Sequence, residues 1–262
     1  MIGKRNVMSL LGHGLSCGPL HKRLLGRSGA IVCLHRVSDD IAEDGLTRSS
    51  ERFAAFCRFF KQNYDVLPLG EIIHRLQTGK SVGGTLGITF DDGYLDNHAV
   101  AAPILRHLGL PATFFVSTKL IGSSHVPWWD AELPRQPGWM SWDHVRSLAA
   151  DGFDIGAHTM THVDLGKVTG AAADAEIVGS RDDLVRELGK VPVHFAYPYG
   201  QRDNLLEENR QRIETAGFRS CSSCFGGLTT PASDPMRLHR IALSPWYRTP
   251  QQFALEAVAR RV

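Results

Sequence analysis

Two adjacent carboxylates, Asp91 and Asp92, follow directly on the apolar run Leu86 to Phe90, and two histidines four apart, His158 and His162, follow on the run Phe153 to Gly156. Like charges side by side in a partly buried position repel, so a cation is needed to keep both ionised. The two side chains diverge, so one can bind a metal while the other faces bound water. Histidines at this spacing share one face of a helical turn and can grip one cation. With one carboxylate they form a set of three protein ligands that suits zinc, cobalt or nickel and leaves positions for water. Taken singly, each element has a plainer reading. Asp-Asp-Gly at a strand end can be a turn with Gly93 at positive φ, and surface helices often carry an HxxxH. Their combination on neighbouring strand ends is what points to a metal.

The elements that must position these residues follow a repeating pattern. Strands are expected at Ala30–Leu34, Asp65–Leu69, Gly84–Phe90, Ala112–Val116, Phe153–Gly156 and Val193–Ala196. Helices are expected through Phe53–Phe60 behind Ser49 or Ser50, at Glu71–Leu76, Ala99–Leu108, Trp142–Ala150 and Ala171–Leu188, several of them stopped by a glycine. Short apolar strands alternating with helices predict βα units and a parallel sheet. His35, Asp91, Asp92, His158 and Tyr199 all fall at or just past the C-terminal ends of these strands. In a parallel barrel that face gathers residues from distant parts of the chain into one site. Trp128, Trp129, Trp139 and Trp142 cluster in the loop after the fourth strand, where indole faces could stack on sugar rings or plug the barrel mouth.

With these residues in view, the chain resembles the NodB-homology polysaccharide deacetylases (carbohydrate esterase family 4) over roughly residues 29 to 243. Ile88 to Tyr94 resembles the family's T-F-D-D-G motif, His158 to His162 its H-[ST]-x-x-H motif, and Phe195 to Gly200 its third motif, while Pro111 to Val116 fits the intervening strand. The resemblance implies a distorted (β/α) barrel with about seven parallel strands. It also implies that Asp92, His158 and His162 bind a divalent metal, zinc first and cobalt or nickel as alternatives. Asp91 would be the general base that takes a proton from water, and the backbone N–H of Tyr199 would help stabilise the oxyanion. Tyr94, Trp128, Trp129, Pro198 and Tyr199 are the expected substrate contacts.

The third motif departs from the commoner R-x-P-Y form, because Ala196 stands where an arginine orients the base. The form F-A-Y-P-Y-G is similar to a branch that includes biofilm poly-N-acetylglucosamine deacetylases, in which the strand order is circularly permuted. That branch implies His35, in Cys33-Leu34-His35-Arg36-Val37, as the general acid, and Arg240 as the replacement for the missing arginine beside Asp91. His239 is the rival acid, because Leu238-His239-Arg240 mimics the usual C-terminal motif. The activity implied is removal of N-acetyl groups from hexosamine units of a polysaccharide or its precursor. An O-acetyl esterase and a catalytically silent carbohydrate-binding domain are the alternatives.

Composition sets the remaining bounds. The chain has 262 residues, 43% hydrophobic and 21% charged, which suits one globular domain with a sizeable core. A net charge of +2 gives no basic stripe for nucleic acid. Five cysteines in irregular spacing make no disulfide framework. Cys221 and Cys224 form one CxxC with no second pair to complete a zinc ribbon, so they read as ordinary buried or loop cysteines, with a thiol-redox protein as the alternative. The domain is expected at 29–262, behind a leader at 1–28. Lys4 and Arg5 before Asn6–Leu15 mimic a signal peptide without its cleavage site. The basic residues there, with Lys22, Arg23 and Arg27, would allow peripheral membrane contact. These features lead to an expected cytoplasmic location, at most peripheral at the inner membrane, while the partner, a glycan containing N-acetylhexosamine, is what the resemblance implies.

Overall fold

β1 (Ala30–Leu34) and β5 (Thr85–Phe90) are buried at every position. Unbroken burial without alternation marks a strand covered on both faces, as in a parallel sheet flanked by helices. The computed structural model describes residues 19–260, and in it β1 and β5 pair in parallel from Ala30↔Leu86 to Leu34↔Phe90. β6 (Thr113–Val116), β7 (Asp154–Ala157), β8 (His194–Ala196), β9 (Ser220–Ser222) and β10 (Ile241–Ala242) extend the sheet in the order β10-β1-β5-β6-β7-β8-β9. The short β4 (Asp65–Val66) joins the start of β5, and β2 (Arg36–Val37) pairs with β3 (Thr47–Arg48) as a separate ribbon.

The sheet curls until its edges meet. Beyond β9 the chain returns so that Leu238 bridges Ser222 while Ile241 and Ala242 pair with β1. This is the expected distorted barrel of about seven parallel strands. The sequence reading assigned no element past Gly200, so β9, β10 and the helices around them come from the structure alone.

Alternate strand residues feed two cores, as the two-residue period of a strand requires. Ala30, Val32 and Leu34 join the large cluster beneath the outer helices. Among these, α2 (Ser50–Asn63) buries Phe53, Phe56, Phe59 and Phe60. Phe53 meets Phe90 edge-on at 5.6 Å, and Phe90 stacks on Phe114 at 4.9 Å. Ile31 and Phe115 face the other way, inside the curl, with Leu69, Ile72 and Ile73 of α3 (Leu69–Gln77) and with Leu238. Phe115 fills that interior so tightly that a Cβ on Gly156 would lie 2.5 Å from its ring.

The expected domain boundary at residue 29 is corrected. α1 (Pro19–Leu25) belongs to the packed body, with His21 and Leu25 buried four residues apart on one face. The His21 ring lies 4.8 Å from that of Tyr64, and Lys22 pairs with Asp65 at 2.6 Å. The mixture of basic and apolar residues in this segment hid that face. The expectations for Lys4, Arg5 and Asn6–Leu15 lie outside the described residues. Among the described residues, no helix is long and apolar enough to cross a membrane.

Candidate metal centre and cavity

Asp91 continues the β5 ladder, its N–H donating to Leu34 O at 2.9 Å, so its side chain keeps the inward phase of Thr89. Asp92 then breaks the strand with φ 75°, which turns the second carboxylate away from the first. A left-handed aspartate is uncommon and is held by surrounding structure. Gly93 follows at φ 98°, where an added Cβ would lie 2.8 Å from Ile121 Cδ1.

The histidines do not sit on a helical turn, contrary to the sequence reading. His158 extends β7, its N–H bonding Val116 O at 3.0 Å, and the chain then loops through Thr159 and His162, both at φ 61°. Glu176 of α6 (Gly170–Leu188) holds this loop. It accepts the N–H groups of Met160 and Thr161 at 2.8 and 2.9 Å and the Thr161 hydroxyl at 2.7 Å. The four-residue spacing thus brings the imidazoles together through a loop, not through helical periodicity.

Three donor atoms converge. Asp92 Oδ1 lies 3.2 Å from Nε2 of both His158 and His162, yet this buried oxygen accepts no hydrogen bond. His158 Nδ1 lies 2.8 Å from Ala196 O. A carbonyl only accepts, so Nδ1 carries the proton and Nε2 presents its lone pair, the tautomer a metal needs. Burial disfavours ionised Asp92, but His162 and then His158 beside it hold its carboxyl well below the usual range. An oxygen and two neutral nitrogens around an otherwise orphaned atom fit a borderline divalent cation.

Asp91 is sequestered beside this set. Burial again opposes its charge, and Arg240 outweighs it, holding the carboxyl below its usual range. Nη1 and Nη2 of Arg240 reach the two carboxylate oxygens at 2.7 Å each, a bidentate pair. Arg240 is itself fully buried, donates to Ser223 O at 2.8 Å and to Thr89 Oγ1 at 3.1 Å, and lies 5.2 Å over the Phe115 ring. The Cys33 thiol, 3.2 Å from Asp91 Oδ2, is a further donor.

His35, Asp91, Asp92, His162, Trp128, Trp129 and Tyr199 line one cavity of ≈ 400 Å³, together with Leu46, Gln201 and Cys224 among others. Asn97 fixes the backbone at His35, its Nδ2 donating to His35 O at 2.7 Å. Burial lowers the His35 pKa, partly offset by the charges of Asp92 and Asp91. His239 lies elsewhere. Its ring packs on Phe225 at 4.7 Å and lines a neighbouring cavity with Arg202 and Arg237. Of the two candidate acids, His35 alone lines the cavity that holds Asp91 and Asp92.

Tyr199, at φ 61° and 40% exposed, sets its ring 4.9 Å from His162. Among the described residues its N–H makes no hydrogen bond, and the adjoining Gly200 N–H donates to Pro198 O. Trp129 packs between His162 at 4.7 Å and Tyr199 at 6.1 Å, and Trp128, 74% exposed, stands edge-on to it at 5.6 Å.

Two expected substrate contacts are corrected. Tyr94 is fully buried and offers no surface to a glycan. It stacks on Trp139 at 4.6 Å, accepts from Trp129 Nε1 at 2.8 Å and donates to Asp130 Oδ2 at 2.7 Å. Asp130 in turn pairs with buried Arg36, so Tyr94 supports the tryptophan loop from below. Pro198 is likewise buried and is not among the residues lining the cavity. Cys221 and Cys224 are both free, Cys221 buried beside Tyr197 and Cys224 beside Cys33.

Sequence reasoning missed Glu176, Asn97, Asp130 and Cys33. Their signal is weak, since each acts on a residue distant in sequence, and neither a surface-type Glu, Asn or Asp nor a cysteine inside an apolar strand stands out by itself.

Residues 78–220 match the family model for polysaccharide deacetylase. The chain is 27% identical over 158 residues to YxkH of Bacillus subtilis (strain 168), a candidate polysaccharide deacetylase, covering 60% of this chain and 51% of that protein. It is 28% identical over 149 residues to a chitin deacetylase of Pestalotiopsis sp., covering 56% and 43%. The matches thus span about half the length of these relatives. Two solved structures share the fold at TM-score 0.74. They are the Streptococcus pyogenes deacetylase PplD in complex with acetate (20% identity, 88% of this chain and 98% of that one) and IcaB from Ammonifex degensii (22%, 89% and 98%).

Proposed function

We infer the reaction from a plain premise, that this chain belongs to the polysaccharide deacetylase family: it is a metal-dependent hydrolase that removes N-acetyl groups from hexosamine units of a glycan. The observation that carries this reading is the convergence of Asp92, His158 and His162 next to the Asp91–Arg240 pair at one cavity. A divalent cation, zinc first among the candidates, would be held by Asp92, His158 and His162; when bound it supplies a Lewis acid that acidifies water and draws charge from an acyl oxygen.

The protein's own groups do the rest. Asp91, kept ionised by Arg240, takes the proton from the attacking water. Its buried bidentate partner also fixes the direction from which that proton is taken. The Tyr199 N–H, held out by the left-handed turn, points a donor at the developing oxyanion, a contribution of about 3 kcal/mol where such donors are well placed. His35 gives its proton to the leaving nitrogen. A neutral imidazole could not do so, and burial makes the His35 imidazolium a readier donor than an exposed one. Trp128 and Trp129 offer apolar faces to a pyranose ring.

An O-acetyl ester of a sugar would suit the same groups and is the second reading. A silent binding domain is disfavoured by the full set of Asp91, Asp92, His158, His162 and Arg240. The location proposed is the cytoplasm, with the glycan met as a precursor at the inner membrane face; recovery of the native protein in a periplasmic fraction would overturn it.

The test is acetate release from N-acetylglucosamine oligomers by wild type, chelator-stripped and zinc- or cobalt-reloaded protein. Release should vanish on stripping, return on reloading, and fall by about 10²–10⁴-fold in Asp91→Asn, the span a general base supplies. Stoichiometric metal with no acetate released from these oligomers, but release from O-acetylated sugars, would replace the amidase reading with the esterase one.

A further inference from the structure

Cys33 and Cys224 arrive at the same corner of the cavity from opposite ends of the chain. Cys33 lies on β1, buried, with its thiol 3.2 Å from Asp91 Oδ2. Cys224 comes from the turn after β9 and lines the cavity beside Asp91, Asp92 and His35. The two thiols interact side chain to side chain, and both are free. The turn that carries Cys224 is locked. Its N–H donates to Gly200 O at 2.8 Å, and a side chain at Gly200 would lie 2.6 Å from that nitrogen. Cys57 and Cys221 are buried thiols whose pKa is pushed up chiefly by burial.

We propose that Cys33 and Cys224 form an oxidisable dithiol that meets a peroxide through the cavity and closes to a disulfide, weakening the neighbouring base Asp91. Cys224 lines the cavity, whereas Cys33 is buried with its thiol on Asp91, so Cys224 meets the peroxide first and is the nucleophile. Its sulfur attacks one peroxide oxygen, the O–O bond breaks, and a sulfenic acid forms with loss of hydroxide. The Cys33 sulfur then attacks the sulfenic sulfur, the S–S bond forms, and the sulfenic oxygen leaves as water with the Cys33 proton. Two thiols and one hydrogen peroxide thus become a disulfide and two waters, with two electrons passed to the peroxide. The S–H that faces Asp91 Oδ2 is consumed, and two sulfur lone-pair centres remain beside the carboxylate. Loss of one donor to a charged group corresponds to about a tenfold fall in kcat.

The effect on catalysis rests on the proposed deacetylase function, whereas formation of the disulfide does not. The experiment exposes the full-length, zinc-loaded protein to hydrogen peroxide, alkylates remaining thiols, digests without reduction and reads peptides by mass. A linked Cys33–Cys224 peptide, with acetate release reduced and restored by dithiothreitol, is expected. In Cys33→Ser, which keeps a hydroxyl donor toward Asp91, the link should be lost and a sulfenic acid on Cys224 should be trapped by dimedone. Cys224 left unmodified, overoxidised without a link, or linked to Cys17 or Cys221 would overturn the proposal. A Cys33–Cys224 link with acetate release unchanged would overturn the coupling to Asp91. A link in a protein that releases no acetate even when reduced would leave the dithiol standing and remove the deacetylase reading instead.

Discussion

Asp91 in isolation would be costly to ionise, since an unpaired buried charge costs several kcal/mol. Both of its oxygens instead meet Arg240 at 2.7 Å, and the guanidinium finds further acceptors in Ser223 O and Thr89 Oγ1. The pair therefore serves the carboxylate's charge and its orientation at once. Arg240→Met is expected to raise the Asp91 pKa. A base whose pKa rises is protonated at higher pH, so the acidic limb of the kcat/KM profile should move toward neutrality and activity should recover as pH climbs. At neutral pH the loss should be about 10²-fold or more. A pH–rate profile with an unmoved acidic limb would show that Arg240 does not govern this carboxylate. The motif containing Asp91 was legible in the sequence, because two carboxylates at the end of an apolar strand need a reason. That Arg240 supplies the reason was implied by the resemblance, and its two 2.7 Å contacts form where the chain enters β10 beside β1.

At the scale of elements, the loop carrying His158 and His162 depends on a helix outside the site. Glu176 of α6 accepts three hydrogen bonds from Met160 and Thr161, which holds Thr159 and His162 in their left-handed conformations. Glu176→Ala should weaken metal affinity by roughly 10–100-fold, the usual range for outer-shell partners of ligating groups. Competition with a chromophoric chelator measures this directly, and an unchanged affinity would mean that the loop holds its shape without the helix. The tryptophan loop is supported in a comparable way through Tyr94, Asp130 and Arg36. Tyr94→Phe removes the hydroxyl that joins Trp129 to Asp130 while keeping the ring. Expected is a KM several-fold higher with kcat little changed, because the surface presented by Trp129 loosens while Asp91 is untouched. A fall in kcat at constant KM would contradict this.

At the scale of the whole molecule, burial of histidines ties the fold to pH. His194 on β8 is buried, bonds Ser220 Oγ at 2.9 Å, and has its pKa lowered by burial to about 4. In the unfolded chain an ordinary imidazole titrates near 6.5, so between these values the unfolded state binds more protons. Stability therefore falls as pH drops from about 6.5 to 4, by up to roughly 3 kcal/mol from this residue. Buried His21, also held near 4, adds to the same trend. His194→Gln should flatten the decline in Tm across this window, and an equally steep decline would assign acid lability to other groups.

The sequence by itself determined the α/β alternation, the parallel sheet and the strand ends that carry His35, Asp91, Asp92, His158 and Tyr199. These are set by local periodicity and by polar groups that cannot be buried without partners. The helical-turn reading of His158 and His162 failed because spacing alone does not distinguish a helix from a loop held by Glu176. Tyr94 and Pro198 were misplaced because a motif says nothing about which of its residues is covered by the next layer. The resemblance implied Arg240 beside Asp91 and offered His35 or His239 as acid, but only the tertiary structure shows Arg240 on both Asp91 oxygens, His35 and not His239 at the cavity, and Cys33 meeting Cys224. Each depends on how far the sheet curls before its edges are joined through Leu238, Ile241 and Ala242, and that closure is a property of the packed interior around Phe115, not of any local stretch of chain.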